Sequence, residues 1–139
     1  MAYSVFSDVS PYRDTGTLCI YAGTSAGKAL ECIDLILVEF SKLKQELLPE
    51  EELTRAKDQL KGNILMGLES SNSRMANLAR QESYFGQCFT ADEIIARIDS
   101  VHSEQIQSMA QRLFDPERIA VTLLGRLDGI KLTRTKLDC

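Results

Sequence analysis

The chain has 139 residues, 44% of them hydrophobic and 26% charged, and a net charge of −4. Those proportions suit one globular domain of ordinary size, and Lys and Arg are interspersed with acids, so no basic face points to nucleic acid or anionic lipid. A single histidine, His102, excludes a zinc motif of the H-E-x-x-H kind, and Cys19, Cys32, Cys88 and Cys139 form no C-x-x-C pair, which excludes zinc-ribbon and thioredoxin-like readings.

Residues 3 to 12 alternate in part, with Tyr3, Val5 and Val9 set against Ser4, Phe6 and Asp8, and this predicts a strand. Asp14 and Gly16 supply turn chemistry, and residues 17 to 22 read as the second strand of an antiparallel hairpin. The following stretch, "YAGTSAGKAL", invites comparison with a phosphate-binding loop of the form G-x-x-x-x-G-K-[ST]. With Gly27-Lys28 as the GK pair, the first glycine is replaced by Ala22 and the hydroxyl residue by Ala29. The metal-binding hydroxyl is thus missing, and so is the glycine that permits close backbone approach. A strand end followed by a helix start, with Thr24 or Ser25 as N-cap, explains the same residues. Cys19 and Cys32 sit among apolar neighbours and read as small buried hydrophobes.

A helix is predicted over 25 to 47, with Leu30, Ile33, Leu37 and Phe40 at helical spacing. Leu35, Ile36 and Val38 widen the stripe, which predicts burial on more than one side. Pro49 opens a second helix whose first turn carries Glu50, Glu51 and Glu52, where carboxylates oppose the positive end of the helix dipole. These glutamates point in different directions around the helix and read as a solvated turn rather than a metal site. Leu53, Ala56, Leu60, Ile64 and Leu68 supply the apolar face. Gly62 and Gly67 each cost about 1 kcal/mol relative to alanine, which calls for a close contact or a helix break.

The run "SSNS" at 70 to 73 starts a third helix that Gly86 ends, with Met75, Tyr84 and Phe85 as core candidates. Thr90 and Glu93 form a capping box for a fourth helix, with Phe89 and Ile94 at the staple positions. A fifth starts near His102, which reads as a capping or surface residue, and stops at Asp115-Pro116. Residues 118 to 124, "RIAVTLL", read as a last strand, and Lys131, Arg134 and Lys136 as a solvated tail. The fold class is α+β: a mostly antiparallel sheet, made of the hairpin and the C-terminal strand, covered on one face by about five helices. Such a thin sheet has unpaired edges and an incompletely covered face. Upstream strands, or strands lent by a partner, are expected to complete it.

Three segments carry a resemblance: "MAYSVFSDVSPYRDTGTLCIYAGTS", "EELTRAKDQLKGNILMGLESSNSRMANLARQESYFG" and "TADEIIARIDSV". They resemble the C-terminal half of the pitrilysin/insulinase-type zinc peptidases, in the processing-peptidase branch. That resemblance implies two related α+β halves enclosing a chamber. Zinc is held in the N-terminal half by H-x-x-E-H and a downstream glutamate, and the glutamate within the motif is the general base. No residue of this chain matches those positions. The C-terminal half contributes an arginine seven positions ahead of a tyrosine. The tyrosine matches Tyr3, and the arginine position precedes Met1, which is either a native residue or a cloning start.

By that resemblance, residues 1 to 139 are a single partial domain, the latter part of a C-terminal half. The chain is expected to hold no zinc and no catalytic residue, and to be inert alone. Zinc belongs to the parent protein. Tyr3 is the candidate substrate-binding residue, a phenol able to donate a hydrogen bond to a substrate carbonyl or to the developing oxyanion. Its alternative role is a strand tyrosine packing an interface. Arg74, Arg80 and Glu82 match family positions and read as helix-surface or inter-helix ion pairs. The implied partners are the N-terminal half of the same protein or a partner subunit, and a polypeptide substrate, with no nucleic acid and no membrane. The parent is expected to be dimeric and, like bacterial relatives, cytoplasmic rather than in the mitochondrial matrix. A catalytically silent partner or core subunit of the same fold is the alternative.

Overall fold

A computed structural model describes residues 2–126 and 129–137; Met1 and Cys139 lie outside the described residues. The order is two strands, then five helices: β1 (Ala2–Pro11), β2 (Gly16–Thr24), α1 (Ala29–Gln45), α2 (Glu50–Gly67), α3 (Ser71–Phe85), α4 (Ala91–Asp99) and α5 (Ser103–Leu113). The chain divides into two compact units, Met1–Glu46 with Gln107–Cys139, and Leu47–Ile106.

In the first unit β1 and β2 pair antiparallel, from Pro11 opposite Gly16 out to Ala2 opposite Thr24. The tight connection is closed by the Tyr12 N–H donating to the Thr15 carbonyl at 2.9 Å. The hairpin is a two-stranded sheet, so each strand keeps one edge without a ladder partner among the described residues. The bare faces expected of so thin a sheet are present: Val5, Phe6, Val9, Leu18 and Tyr21 are all exposed. Cys19, expected inside, is exposed with them, whereas Cys32 on α1 is half-buried. The unit's small core lies elsewhere. Leu37, Ala110, Phe114 and Leu137 are buried, and the rings of Phe40 and Phe114 stack at 3.9 Å. Polar ties surround that core. Lys44 Nζ donates to the Phe114 carbonyl at 3.2 Å and Gln111 Nε2 to the Lys44 carbonyl at 3.0 Å. Lys136 pairs with Asp34 at 3.0 Å.

In the second unit each helix has its own local start or stop. Pro49 precedes α2, and its carbonyl accepts from the N–H groups of Glu52 and Leu53. Ser70 caps α3 by accepting from the Ser73 N–H, and Gly86 ends it in the left-handed conformation at φ +65°. The Thr90–Glu93 capping box on α4 is complete in both directions. Lys57 Nζ donates to the Asp99 carbonyl at 3.0 Å, and Lys61 bridges Asp58 and Asp99 at 3.0 and 2.9 Å. These bonds tie α2 to the last turn of α4, where a cation also suits the negative end of the helix dipole. Leu53 is buried at 3% exposure. Buried Gln81 accepts the Phe89 N–H at 2.6 Å, and the Arg97 guanidinium sits 4.0 Å over the Phe89 ring.

Three expectations are corrected. Residues 119 to 124 form no strand; they are irregular, and Leu124 is fully exposed. β-branched residues favour a strand only where a neighbouring strand supplies hydrogen bonds and a covered face, and among the described residues none does so. Leu35 and Val38 are exposed, so α1 is not buried on several sides, and Met75, Tyr84 and Phe85 are exposed rather than core. Helical spacing marks which residues share a face, but burial also needs a layer against that face. Ser25, one of the two cap candidates, makes no side-chain capping bond. It precedes a short 3-10 turn, Ala26–Lys28, that leads into α1.

The two helix glycines differ. Gly67 is the last residue of α2 and marks its end. Gly62 lies inside the helix, and a Cβ there would meet nothing within 4 Å.

Candidate functional site

The candidate residue Tyr3 lies near the N-terminal end of β1, and its position follows from the cross-strand register. From Ser4 opposite Gly23 to Pro11 opposite Gly16 the pairing is regular, but Ala2 faces Thr24. One residue is therefore extra on β1, and Tyr3 with Ser4 together oppose Gly23. This is a β-bulge, a device that bends a strand, increases its twist and re-aims a side chain. Strict alternation would place Tyr3 in one row with Val5 and Val9. The bulge interrupts that row, because Ala2 now shares a face with Val5 although they are three positions apart. Tyr3 is 84% exposed, more than any other aromatic residue of the hairpin. Its hydroxyl is open to any group laid along β1.

Beside the bulge, Phe6 and Tyr21 are direct cross-strand neighbours, and their rings stack at 4.9 Å with 23° between planes. Asp8 lies further along the strand, and the Ser10 hydroxyl donates to its carboxylate at 3.0 Å. Neither strand alone specifies the bulge, because it arises from how β1 and β2 pair. Glycine at position 23 is the one local hint, since strand glycines often mark bulges or close approach.

The other sequence-level candidates lie apart from this region. Lys28, the lysine of the phosphate-loop comparison, pairs with Glu31 one turn on, and its hydrogen bond and charge hold the Glu31 carboxyl below the usual carboxylate range. Glu50 and Glu51 line a surface depression with Thr54, Arg55 and Asp58. His102 is exposed at the start of α5. Its carbonyl accepts from the Gln105 N–H, and its own N–H donates to the Gln105 side chain. Arg74, Arg80 and Glu82 are exposed on α3 and, among the described residues, join no ion pair, which corrects that expectation.

Among the described residues no group of three or more His, Cys, Asp or Glu side chains is placed to hold a metal ion. Among the described residues the donor set therefore does not fit zinc. No helix among the described residues is long and apolar enough to cross a membrane.

The hairpin and the first helices are also where a known family matches. Residues 1–60 fit the family model described as the peptidase M16 inactive domain. The chain is 37% identical over 125 residues to an uncharacterized zinc protease of Bacillus subtilis, an alignment covering 90% of this chain and 30% of that protein. It is 32% identical over 125 residues to an uncharacterized zinc protease of Mycobacterium leprae, covering 90% of this chain and 28% of the relative. A probable mitochondrial-processing peptidase subunit beta of Arabidopsis thaliana is 26% identical over 134 residues, covering 94% of this chain and 24% of that protein. Residues 1–60 thus match the M16 inactive domain, and 90% of the chain is similar to part of proteins named as zinc proteases. It spans less than a third of the length of these relatives.

Proposed function

We propose that this chain is the non-catalytic, substrate-facing part of a zinc-dependent endopeptidase of the processing type, acting on extended polypeptides. Zinc and the water-activating glutamate belong to the N-terminal half of the same protein or to a partner subunit, and the whole works as a dimer in the cytoplasm. Residues 1 to 139 serve as one partial domain of the C-terminal half. The relatives named as zinc proteases and as a processing peptidase support the reading.

The observation that carries it is Tyr3, an 84%-exposed phenol on a β-bulge of an edge strand. A tyrosine kept for packing inside this chain would have its ring covered; this one presents most of its surface. A phenol O–H can donate to a substrate carbonyl oxygen, and its effect grows as negative charge develops on that oxygen. The open edge of β1 can meanwhile take up an extended polypeptide through main-chain hydrogen bonds.

The test is Tyr3→Phe in the full-length protein, with turnover of an unstructured polypeptide measured at saturating substrate. Turnover should fall about 10²-fold if the hydroxyl serves the oxyanion, with zinc content unchanged. Unaltered turnover would reduce Tyr3 to a surface tyrosine.

A second reading, a catalytically silent partner or core subunit, draws support from the description of the matching domain as inactive. Zinc analysis of the full-length protein separates the two: about one zinc per chain favours the peptidase, and none favours the silent subunit.

A further inference from the structure

Gly23 stands opposite the two-residue bulge of Tyr3 and Ser4. A side chain at that position would meet both Cε1 and the hydroxyl oxygen of Tyr21 at 3.7 Å, and the Ser4 carbonyl oxygen at 4.0 Å. The Tyr21 ring therefore leans across the glycine, and its hydroxyl reaches the strand position that faces the bulge. The same ring stacks on Phe6. Two contacts thus fix it: a neighbouring aromatic, and a backbone stretch with no side chain to push it away.

A phenylalanine would keep the stack on Phe6 and the Cε1 cover over Gly23; the oxygen adds to that cover only at ordinary van der Waals distance, a contact that needs no hydroxyl. The hydroxyl is the part of Tyr21 that packing does not explain. Half of the residue is exposed, and among the described residues the hydroxyl has no hydrogen-bond partner. A fixed ring carrying a wet hydroxyl is a preorganised donor, because little side-chain freedom remains to be lost on binding.

We infer that Tyr21 is a second substrate-contact residue, whose hydroxyl hydrogen-bonds the backbone of an extended polypeptide lying along the bulge beside Tyr3. Gly23 and Phe6 are its positioning residues. The inference rests on the reading of the hairpin as a polypeptide-facing surface, and it assigns Tyr21 to binding rather than to the chemical step.

The experiment uses the full-length protein and a fluorescently labelled unstructured polypeptide, read by anisotropy for affinity and by cleavage for KM and kcat. Tyr21→Phe removes only the oxygen. It should weaken binding about 3- to 10-fold, the span of one net hydrogen bond, raise KM by the same factor, and leave kcat within about twofold and the melting temperature unchanged. Gly23→Val keeps the hydroxyl but puts a branched side chain where the ring lies, and it should weaken binding at least as much. Unchanged affinity in Tyr21→Phe overturns the inference, and so does a loss that appears only together with a lowered melting temperature. If Tyr3→Phe impairs turnover while Tyr21→Phe matches wild type, the inference fails and the proposed function stands. If the wild-type protein binds polypeptide without cleaving it and Tyr21→Phe still weakens binding, the inference stands and the peptidase reading fails. A wild-type protein that neither binds nor cleaves polypeptide overturns both.

Discussion

The β1–β2 hairpin and the helical unit Leu47–Ile106 hold their shapes by different means. The hairpin is kept by its backbone ladder and by one aromatic stack, while its apolar side chains stay bare. The helical unit has few buried residues too, but most of its helix ends are fixed: by Pro49, Ser70, Gly86, the Thr90–Glu93 box, and the lysines on Asp99. Capping acts within a few residues, and the lysine bonds to Asp99 join α2 to α4 across 42 and 38 positions; neither needs an extensive core. A two-stranded sheet has no such resource, and an isolated hairpin is marginal in water without a covered face. The contrast teaches that fixed helix ends can hold a unit with few buried residues, whereas a hairpin held by its ladder leaves its apolar faces bare.

The largest effect that could break this contrast is a truncation inside each region. Leu53→Ala should destabilise the 139-residue chain by about 2–5 kcal/mol, because it empties a buried position. Val9→Ala, at 66% exposure in the hairpin, should stay within about 0.5 kcal/mol. Urea unfolding of both variants measures the difference. Equal losses would mean that the hairpin has a core of its own.

A smaller effect sharpens the helical side. Thr90→Ala removes the side-chain half of the capping box and should cost about 1 kcal/mol. The partner residue adds a pH signature. Hydrogen bonds from the Thr90 backbone N–H, then from its hydroxyl, hold the Glu93 carboxyl below its ordinary value of 4.5. A carboxyl depressed in the folded state contributes stability that is present above pH 4.5 and lost as pH falls through the folded value. Melting temperatures of wild type and Glu93→Gln, followed from pH 7 down to about pH 3, should therefore differ in slope below 4.5, with the wild type falling faster. Parallel curves would mean that the carboxylate contributes nothing beyond an amide.

The smallest expected change is a gain. Gly62 lies inside α2 with open space where a Cβ would stand, so Gly62→Ala should stabilise the 139-residue chain by up to about 1 kcal/mol through helix propensity alone. A loss, seen as a lower melting temperature, would show that the space is needed within the chain itself.

What was legible in the amino acids alone is what acts locally. The capping box at Thr90, the stop at Gly86, the start after Pro49 and the hairpin turn near Asp14 are each decided within a few residues: by side chains reaching the backbone at Thr90 and Glu93, by glycine's tolerance of positive φ at Gly86, by proline's fixed φ at Pro49, and by turn-forming residue types near Asp14. The resemblance to the processing peptidases also lay in the residues themselves, and it brought Tyr3 forward as a candidate. Only the tertiary structure could decide which apolar positions are covered. Leu37 is buried, while Leu35, Val38 and Phe85 are not, although the apolar pattern marks all four as core candidates. It alone decided that residues 119 to 124 stay irregular and that Tyr3 sits on a bulge over Gly23 with Tyr21 leaning in beside it. The reason is physical. A strand, its register and a buried face are properties of two surfaces brought together, and no stretch of sequence contains the second surface.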